Sequence, residues 1–197
     1  MDRSARLEPR FGYDGVRSGH LGLSGNNQFI DYTELSDLTG LPPKKLEEII
    51  TTPWGQRPNP ASYMSEAEIK SSLAKFDEGA VRFTRQSDID SYGTIGPSGG
   101  AFVIPMTEFD NLLRNANGKL SVVEQRLGLK IGQLTNGDIK ALYIKKDEIK
   151  NLRIPTGNEA GASRKWIPGG KTQGGVSEAV IDVPEGLKYS PLEFRYE

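Results

Sequence analysis

The chain has 197 residues, with 25 Lys+Arg against 26 Asp+Glu, 36% hydrophobic residues, 23 Gly and 12 Pro. That length suits one domain with an appended arm, and the Gly and Pro content places much of it in turns, which excludes a single long helical bundle or coiled coil. Balanced charge argues against a broad basic surface for duplex nucleic acid; the lack of Cys excludes disulfides and thiolate zinc sites, and the single His, His20, excludes two-histidine nucleases, His-based triads and His-rich metal centres.

Residues 1–30 are polar and glycine-rich and read as an irregular arm or linker, with His20 on its surface. Met1-Asp2-Arg3-Ser4-Ala5-Arg6 is charged with no apolar stretch behind it, unlike a secretory signal. The residues after Met1 read like the interior of a longer chain. No run approaches the ~18 apolar residues of a membrane span. From Asp31 to Thr52 the pattern turns helical: Leu35, Leu38 and Leu41 are spaced by three, Pro42-Pro43 ends one helix and starts the next, and Leu46, Ile49 and Ile50 give the second an apolar face. Pro53, Pro58 and Pro60 make Thr51 to Tyr63 a loop. Ser65-x-x-Glu68 is a capping box, which predicts a helix with Ile69, Leu73 and Phe76 inward, ended by Gly79.

Beyond Gly79 the pattern changes. Short strands are predicted at Ala80–Thr84, Ala101–Ile104, Ala141–Ile144, Leu152–Ile154 and, as the last, Glu178–Val183 before Pro184. A helix is predicted over Thr107–Ala116, with Phe109, Leu112 and Leu113 inward. A second box, Ser121-x-x-Glu124, predicts a capped helix ending at Gly128. Residues 155–175 form a long Gly-rich loop whose Trp166 and two prolines favour order, and Tyr189, Phe194 and Tyr196 read as packing against the body. The expected architecture is α+β, with a Gly-rich arm and helical region for docking or entry over 1–78 and a compact mixed body with short strands over 79–197.

Two clusters carry candidate chemistry. The first runs from Arg153 through Gly157-Asn158-Glu159-Ala160-Gly161-Ala162 and Trp166-Ile167-Pro168-Gly169-Gly170-Lys171-Thr172 to Gln173 and Glu178. Glycines allow close approach of a ligand to the backbone, and loop amides can hold phosphate oxygens. Arg153, Arg164 and Lys171 add positive charge, and Glu178 at a strand start can stabilise a developing cation or orient a nucleophile. A surface loop pinned by one Trp accounts for the same residues without any ligand. The run matches neither a Walker A motif nor a dinucleotide G-x-G-x-x-G turn. The second cluster is Arg82, then Tyr92-Gly93 through Ser98-Gly99-Gly100-Ala101-Phe102. An inward Arg82 must be paired or bind an anion, and Ser98 suits either a ribose hydroxyl or an ordinary turn. Asp88 and Asp90 are too isolated for a metal site, and no metal is expected.

The stretch from about Ala80 to Val183, through Tyr92-Gly93, Gly99-Gly100-Ala101-Phe102, Arg153-Ile154-Pro155-Thr156-Gly157-Asn158-Glu159, Trp166-Ile167-Pro168-Gly169-Gly170 and Glu178-Ala179-Val180, resembles the C-terminal toxin domains of bacterial polymorphic toxins of the Rhs-repeat and filamentous-haemagglutinin type. The order of parts is similar to the ADP-ribosyltransferase-like fold and, within it, to NAD glycohydrolase toxins of the tuberculosis necrotizing toxin type. The resemblance implies NAD as substrate and cleavage of its nicotinamide N-glycosidic bond. It implies Glu178 or Gln173 as the catalytic polar residue, Arg82 and Arg153 on the pyrophosphate, and Trp166 or Phe102 stacked on nicotinamide. It further implies secretion or delivery into the cytoplasm of a target cell, a carrier protein, a cognate immunity protein and, for transfer rather than hydrolysis, a protein acceptor. A metal-independent RNase toxin and a non-enzymatic binding or delivery module remain as alternatives.

Overall fold

Asp31 caps the first helix: its carboxylate accepts from the N–H groups of Thr33 and Glu34. The computed structural model describes residues 31–193, so the expectations for the N-terminal arm, His20, Phe194 and Tyr196 lie outside the described residues. Helix α1, Tyr32–Thr39, ends where Gly40 takes φ 75°, and α2, Pro43–Thr51, begins with proline at its first position. Helix α3, Glu66–Ala74, starts with the capping box predicted for it, Ser65 and Glu68 each accepting from the other's backbone N–H. The chain then enters β1, Ala80–Arg85, followed by α4, Gln86–Tyr92, β2, Ala101–Pro105, and α5, Met106–Asn115. After α6, Leu120–Arg126, come β3, Ile139–Ile144, and β4, Lys150–Arg153. The long Gly-rich loop leads to β5, Ala179–Asp182, and then β6, Ser190–Leu192.

The six strands form one sheet in the order β4-β5-β2-β1-β3-β6, and every neighbouring pair is antiparallel. With its helices this is a mixed α+β fold. One apolar cluster joins Val81, Phe83 and Ile104 to Phe109 and Leu112 of α5 and Val123 of α6. A second joins Ala80, Val103, Leu142, Ile144 and Ile181 to Phe76 and Ile95. These lists alternate along β1 and β2, as residues on opposite faces of a strand must. The third cluster is where the site forms. Leu41, Leu46 and Ile49 from the first helices bury themselves against Phe102, Trp166 and Val180, so the helical N-terminal region and the body share a core.

Two local expectations are corrected, and one helix had no expectation. The Ser121–Glu124 pair forms no capping box: α6 begins two residues earlier than a Ser121 cap would set it, after Lys119, without a side-chain cap. Glu124 is fully buried and accepts instead from the N–H groups of Gly132, Leu134 and Thr135. Those donors lie eight to eleven residues away, so a local motif competed with a tertiary one and lost. Helix α4 was unexpected because Ile89 is the single aliphatic residue in Gln86-Ser87-Asp88-Ile89-Asp90-Ser91-Tyr92, too little for a helical period. Glu178–Val183 is also not the last strand, since Ser190–Leu192 pairs with β3. Three residues containing a proline give no alternation to read, and a sheet edge tolerates them.

Candidate active site

The site is built where β2 and β5 meet beneath the long loop. Phe102 and Val180 are direct partners in the β2–β5 ladder, which brings Glu178, just before β5, alongside β2. The loop folds back over them. Glu178 N–H donates to Gly170 O at 2.8 Å, closing the 170–178 segment, and Thr172 Oγ1 donates to Arg126 O at 2.7 Å, tying it to the end of α6. A side chain at Gly174 would overlap the Arg126 backbone, so a glycine is required for that approach. Gly157 has a similar reason. It holds φ 80°, and a Cβ there would lie 2.6 Å from the Trp166 ring.

These elements enclose a cleft lined by Phe102, Leu127, Trp166, Lys171, Gln173 and Glu178, with Ser163 and Lys165 also on its wall. Walls and mouth together bound ≈ 430 Å³, of which only ≈ 40 Å³ admits the centre of a water molecule, room for roughly three waters. A larger hollow, ≈ 1190 Å³, lies among α4, β3 and β6, but its lining includes none of the predicted site residues.

Glu178 keeps a partial opening to solvent through the cleft. Burial among protein atoms pushes its carboxyl up to about 8, with Arg82 opposing and Glu159 adding to the rise. Glu159 itself is held by three donors, the N–H and hydroxyl of Thr156 and the N–H of Gly157. Behind the cleft, the guanidinium of Arg57 lies 4.8 Å over the Trp166 ring and donates to Gly157 O at 2.7 Å. Asn158 fixes the loop that carries Arg57. Its side chain accepts from the N–H groups of Gly55 and Arg57 and donates to Arg57 O, much as a backbone strand would. Burial lowers the Arg57 guanidinium below its ordinary range, against the pull of Glu159, and burial likewise pushes the Tyr63 phenol up, with Glu159 adding.

Four of the predicted residues, Phe102, Trp166, Gln173 and Glu178, therefore meet in one cleft. The other three do not line it. Arg82 is buried and donates to the carbonyls of Ile95 and Phe102 at 3.0 Å each. The β1–β2 ladder is in register only at Ala80–Pro105 and Val81–Ile104, and Arg82 supplies a donor to Phe102 O beyond that point. Arg153 is likewise engaged, with Asp182 at 2.9 Å and Gly99 O at 2.6 Å. Ser98 is exposed, and its carbonyl accepts from Val183 N–H. The loop glycine amides also turn inward: Gly157 N–H goes to Glu159 and Gly175 N–H to Thr172 O.

Sequence reasoning missed Arg57, Glu159 and Lys165. Glu159 lies inside the quoted Gly157–Ala162 run, and its signal was position between glycines. Arg57 sits in a Pro-rich loop that offers no signal for chemistry. Among the described residues, no helix is long and apolar enough to cross a membrane, and no three His, Asp or Glu side chains are grouped to hold a metal ion. Compared with protein-family models, curated proteins and solved structures, the chain gives no match.

Proposed function

We propose that the chain cleaves the nicotinamide N-glycosidic bond of NAD, as the effector domain of a delivered bacterial toxin, with an ADP-ribosyltransferase-like arrangement of its body. The observation that carries this reading is the meeting of Glu178 with Phe102, Trp166 and Gln173 in one narrow cleft. The ring end of the substrate enters between the aromatic walls. The bond from ribose C1′ to the ring nitrogen breaks, its electron pair leaves with neutral nicotinamide, and positive charge develops on the ribose. A buried carboxyl held near pKa 8 is mostly un-ionised in the free protein at pH 7. The reactive fraction is the one already ionised before the bond breaks, and its attraction to the ribose strengthens as positive charge develops there. Water or an acceptor side chain then attacks C1′, and the proton it loses passes to the Glu178 carboxylate. Gln173, exposed at the rim, is placed to orient the ribose or the attacking water.

The test is nicotinamide release from NAD, followed by chromatography. Glu178→Gln keeps the shape of the side chain and removes the charge, and is expected to lower turnover by about 10²–10³-fold. Activity against pH gives a second readout. The wild-type kcat/KM should rise as pH approaches the Glu178 value near 8, because only the ionised form stabilises the cation. A folded wild-type protein that leaves NAD intact, with and without cell lysate as a source of acceptors, overturns the proposal.

A further inference from the structure

The β2–β5 ladder pairs Ala101 with Ile181, Phe102 with Val180 and Val103 with Ala179, and stops there. One more step would set Ile104 opposite Glu178, and a second would set Pro105 opposite Ser177. Proline has no N–H to extend a ladder, and the chain turns there into α5. Glu178 is therefore the first residue beyond the ladder, and its backbone must be fixed on that side by something other than the sheet.

A side chain of α5 does this. Glu108, in the first turn of the helix, takes Ser177 at two points: the Ser177 N–H donates to Oε2 at 2.6 Å and the Ser177 hydroxyl to Oε1 at 2.7 Å. Both bonds run to a charged acceptor, which strengthens them. Lys75, just after α3, pairs with Glu108 at 3.0 Å and donates to Ser177 Oγ at 2.8 Å, and Lys171 donates to the same oxygen at 3.0 Å. The one donor and two acceptor positions of the hydroxyl are thus filled. Ser177 is also buried, so its hydroxyl is a tether rather than a nucleophile.

Glu178 is then held from three directions. Ala179 after it lies in the ladder, Ser177 before it is clamped, and its own N–H donates to Gly170 O at 2.8 Å. Because β2 runs directly into α5, the strand that carries Phe102 and the helix that carries Glu108 are one continuous piece. Glu108 and Ser177 do not line the cleft, so the clamp sets Glu178 relative to Phe102 from outside it. The charged groups that act on the Glu178 carboxyl are Arg82 and Glu159, and the influence of Glu108 runs through the backbone.

We propose that Glu108 is a positioning residue for Glu178: its hold on Ser177 sets the Glu178 carboxyl in the cleft and keeps water from entering beside it. The consequence for catalysis rests on the NAD reading; the placement does not.

The test follows the Glu178 carboxyl by NMR in the full chain with isotope-labelled glutamate, its signal assigned by its loss in Glu178→Gln. In the wild type it should titrate at about 8. Glu108→Gln keeps the side-chain shape but leaves one oxygen for two Ser177 donors, and should weaken proton binding at Glu178 by about tenfold or more as water reaches it. Ser177→Ala keeps the Glu108 charge and removes only the hydroxyl bonds. A smaller weakening in the same direction is expected, which loss of charge alone would not give. Thermal melting confirms that each variant is folded, and Ser177→Ala, the milder change, carries the test if Glu108→Gln does not fold. Nicotinamide release, compared above the Glu178 titration where the carboxyl is ionised in both proteins, should show kcat about tenfold lower in Glu108→Gln with KM within about threefold. A Glu178 titration unmoved or raised in the folded variants overturns the assignment, as does a wild-type Glu178 that titrates in the ordinary carboxylate range. A lowered titration in a protein that leaves NAD intact supports the positioning and overturns the NAD reading alone. Nicotinamide release with titration and kcat both untouched by Glu108→Gln overturns the positioning alone.

Discussion

Glu178 keeps its proton in the folded chain at pH values where the unfolded chain has lost it. Its value rises from an ordinary 4.5 to about 8 on folding. Between those limits the folded state binds more protons than the unfolded state, so the residue lowers stability progressively as pH rises through that window. Above about 8 both states are ionised and the loss levels off. Glu178→Gln removes this dependence. Urea unfolding should show the variant gaining on the wild type from about pH 5 to about pH 8, with the gap closing toward acid. Glu108 shifts the other way. Burial raises its value, but the hydroxyl and N–H of Ser177 and the Lys75 ammonium together bring it below the ordinary carboxylate range. Its contribution is present above 4.5 and is lost as pH falls through its folded value, so the two carboxyls act in separate pH windows. The arginines show what the sequence concealed at this scale. Arg82 and Arg153 were read as anion ligands from charge and position, but free carbonyl oxygens are a feature of strand register and loop path. No residue letter records that Phe102 O lies within reach of Arg82 or Gly99 O within reach of Arg153.

Among the elements, α6 and the segment after it depend on one side chain. Glu124 accepts three backbone N–H groups from Gly132, Leu134 and Thr135, away from solvent. Glu124→Ala leaves those donors without an acceptor and opens a space beside Val123 and Leu134. It is expected to cost about 3 kcal/mol in urea unfolding, with Glu124→Gln losing less because one oxygen acceptor remains. Hydrogen exchange at Leu134 is a second measure, and should speed up in the alanine variant. The contrast with α3 explains which helix starts were legible. Ser65 and Glu68 lie at an exposed start where water is the alternative partner, so the local motif holds. Ser121 and Glu124 have the same spacing, but buried amides outcompeted the local arrangement. The strands at Ala80, Ala101 and Ala141 were legible from short apolar runs, interrupted in the first by Arg82, while α4 and β6 were not, having too few apolar residues to show a period.

For the whole molecule, the boundary expected near residue 78 crosses a shared core. Leu41, Leu46 and Ile49 are buried against Phe102, Trp166 and Val180, and Asn158 is bonded to the backbone on both sides of Arg57. A fragment of residues 79–197 would expose that apolar face and lose the cover over Trp166. It is expected to bind the dye ANS and melt without a cooperative transition, whereas a chain from residue 31 onward should melt cooperatively. A cooperative 79–197 fragment would show that the helices only decorate the body. The convergence of Phe102, Trp166, Gln173 and Glu178 was legible because a Gly-rich loop between two strand signals brings its ends and its one Trp together. The covering helices were not legible as part of the site, since amphipathic spacing tells that a helix packs and not what it packs on.

The place of β5 in the sheet has a consequence for timing. It lies between β4 and β2, and its partner β2 was made some seventy-odd residues earlier in the chain. A ladder closed over that separation forms slowly compared with the local hairpins and helices. Glu178 and the loop that roofs the cleft, Trp166 included, belong to this late-closing piece, so the cleft is complete only when β5 docks on β2. Cleft and ladder therefore form together, and any change that delays the docking of β5 delays the cleft with it.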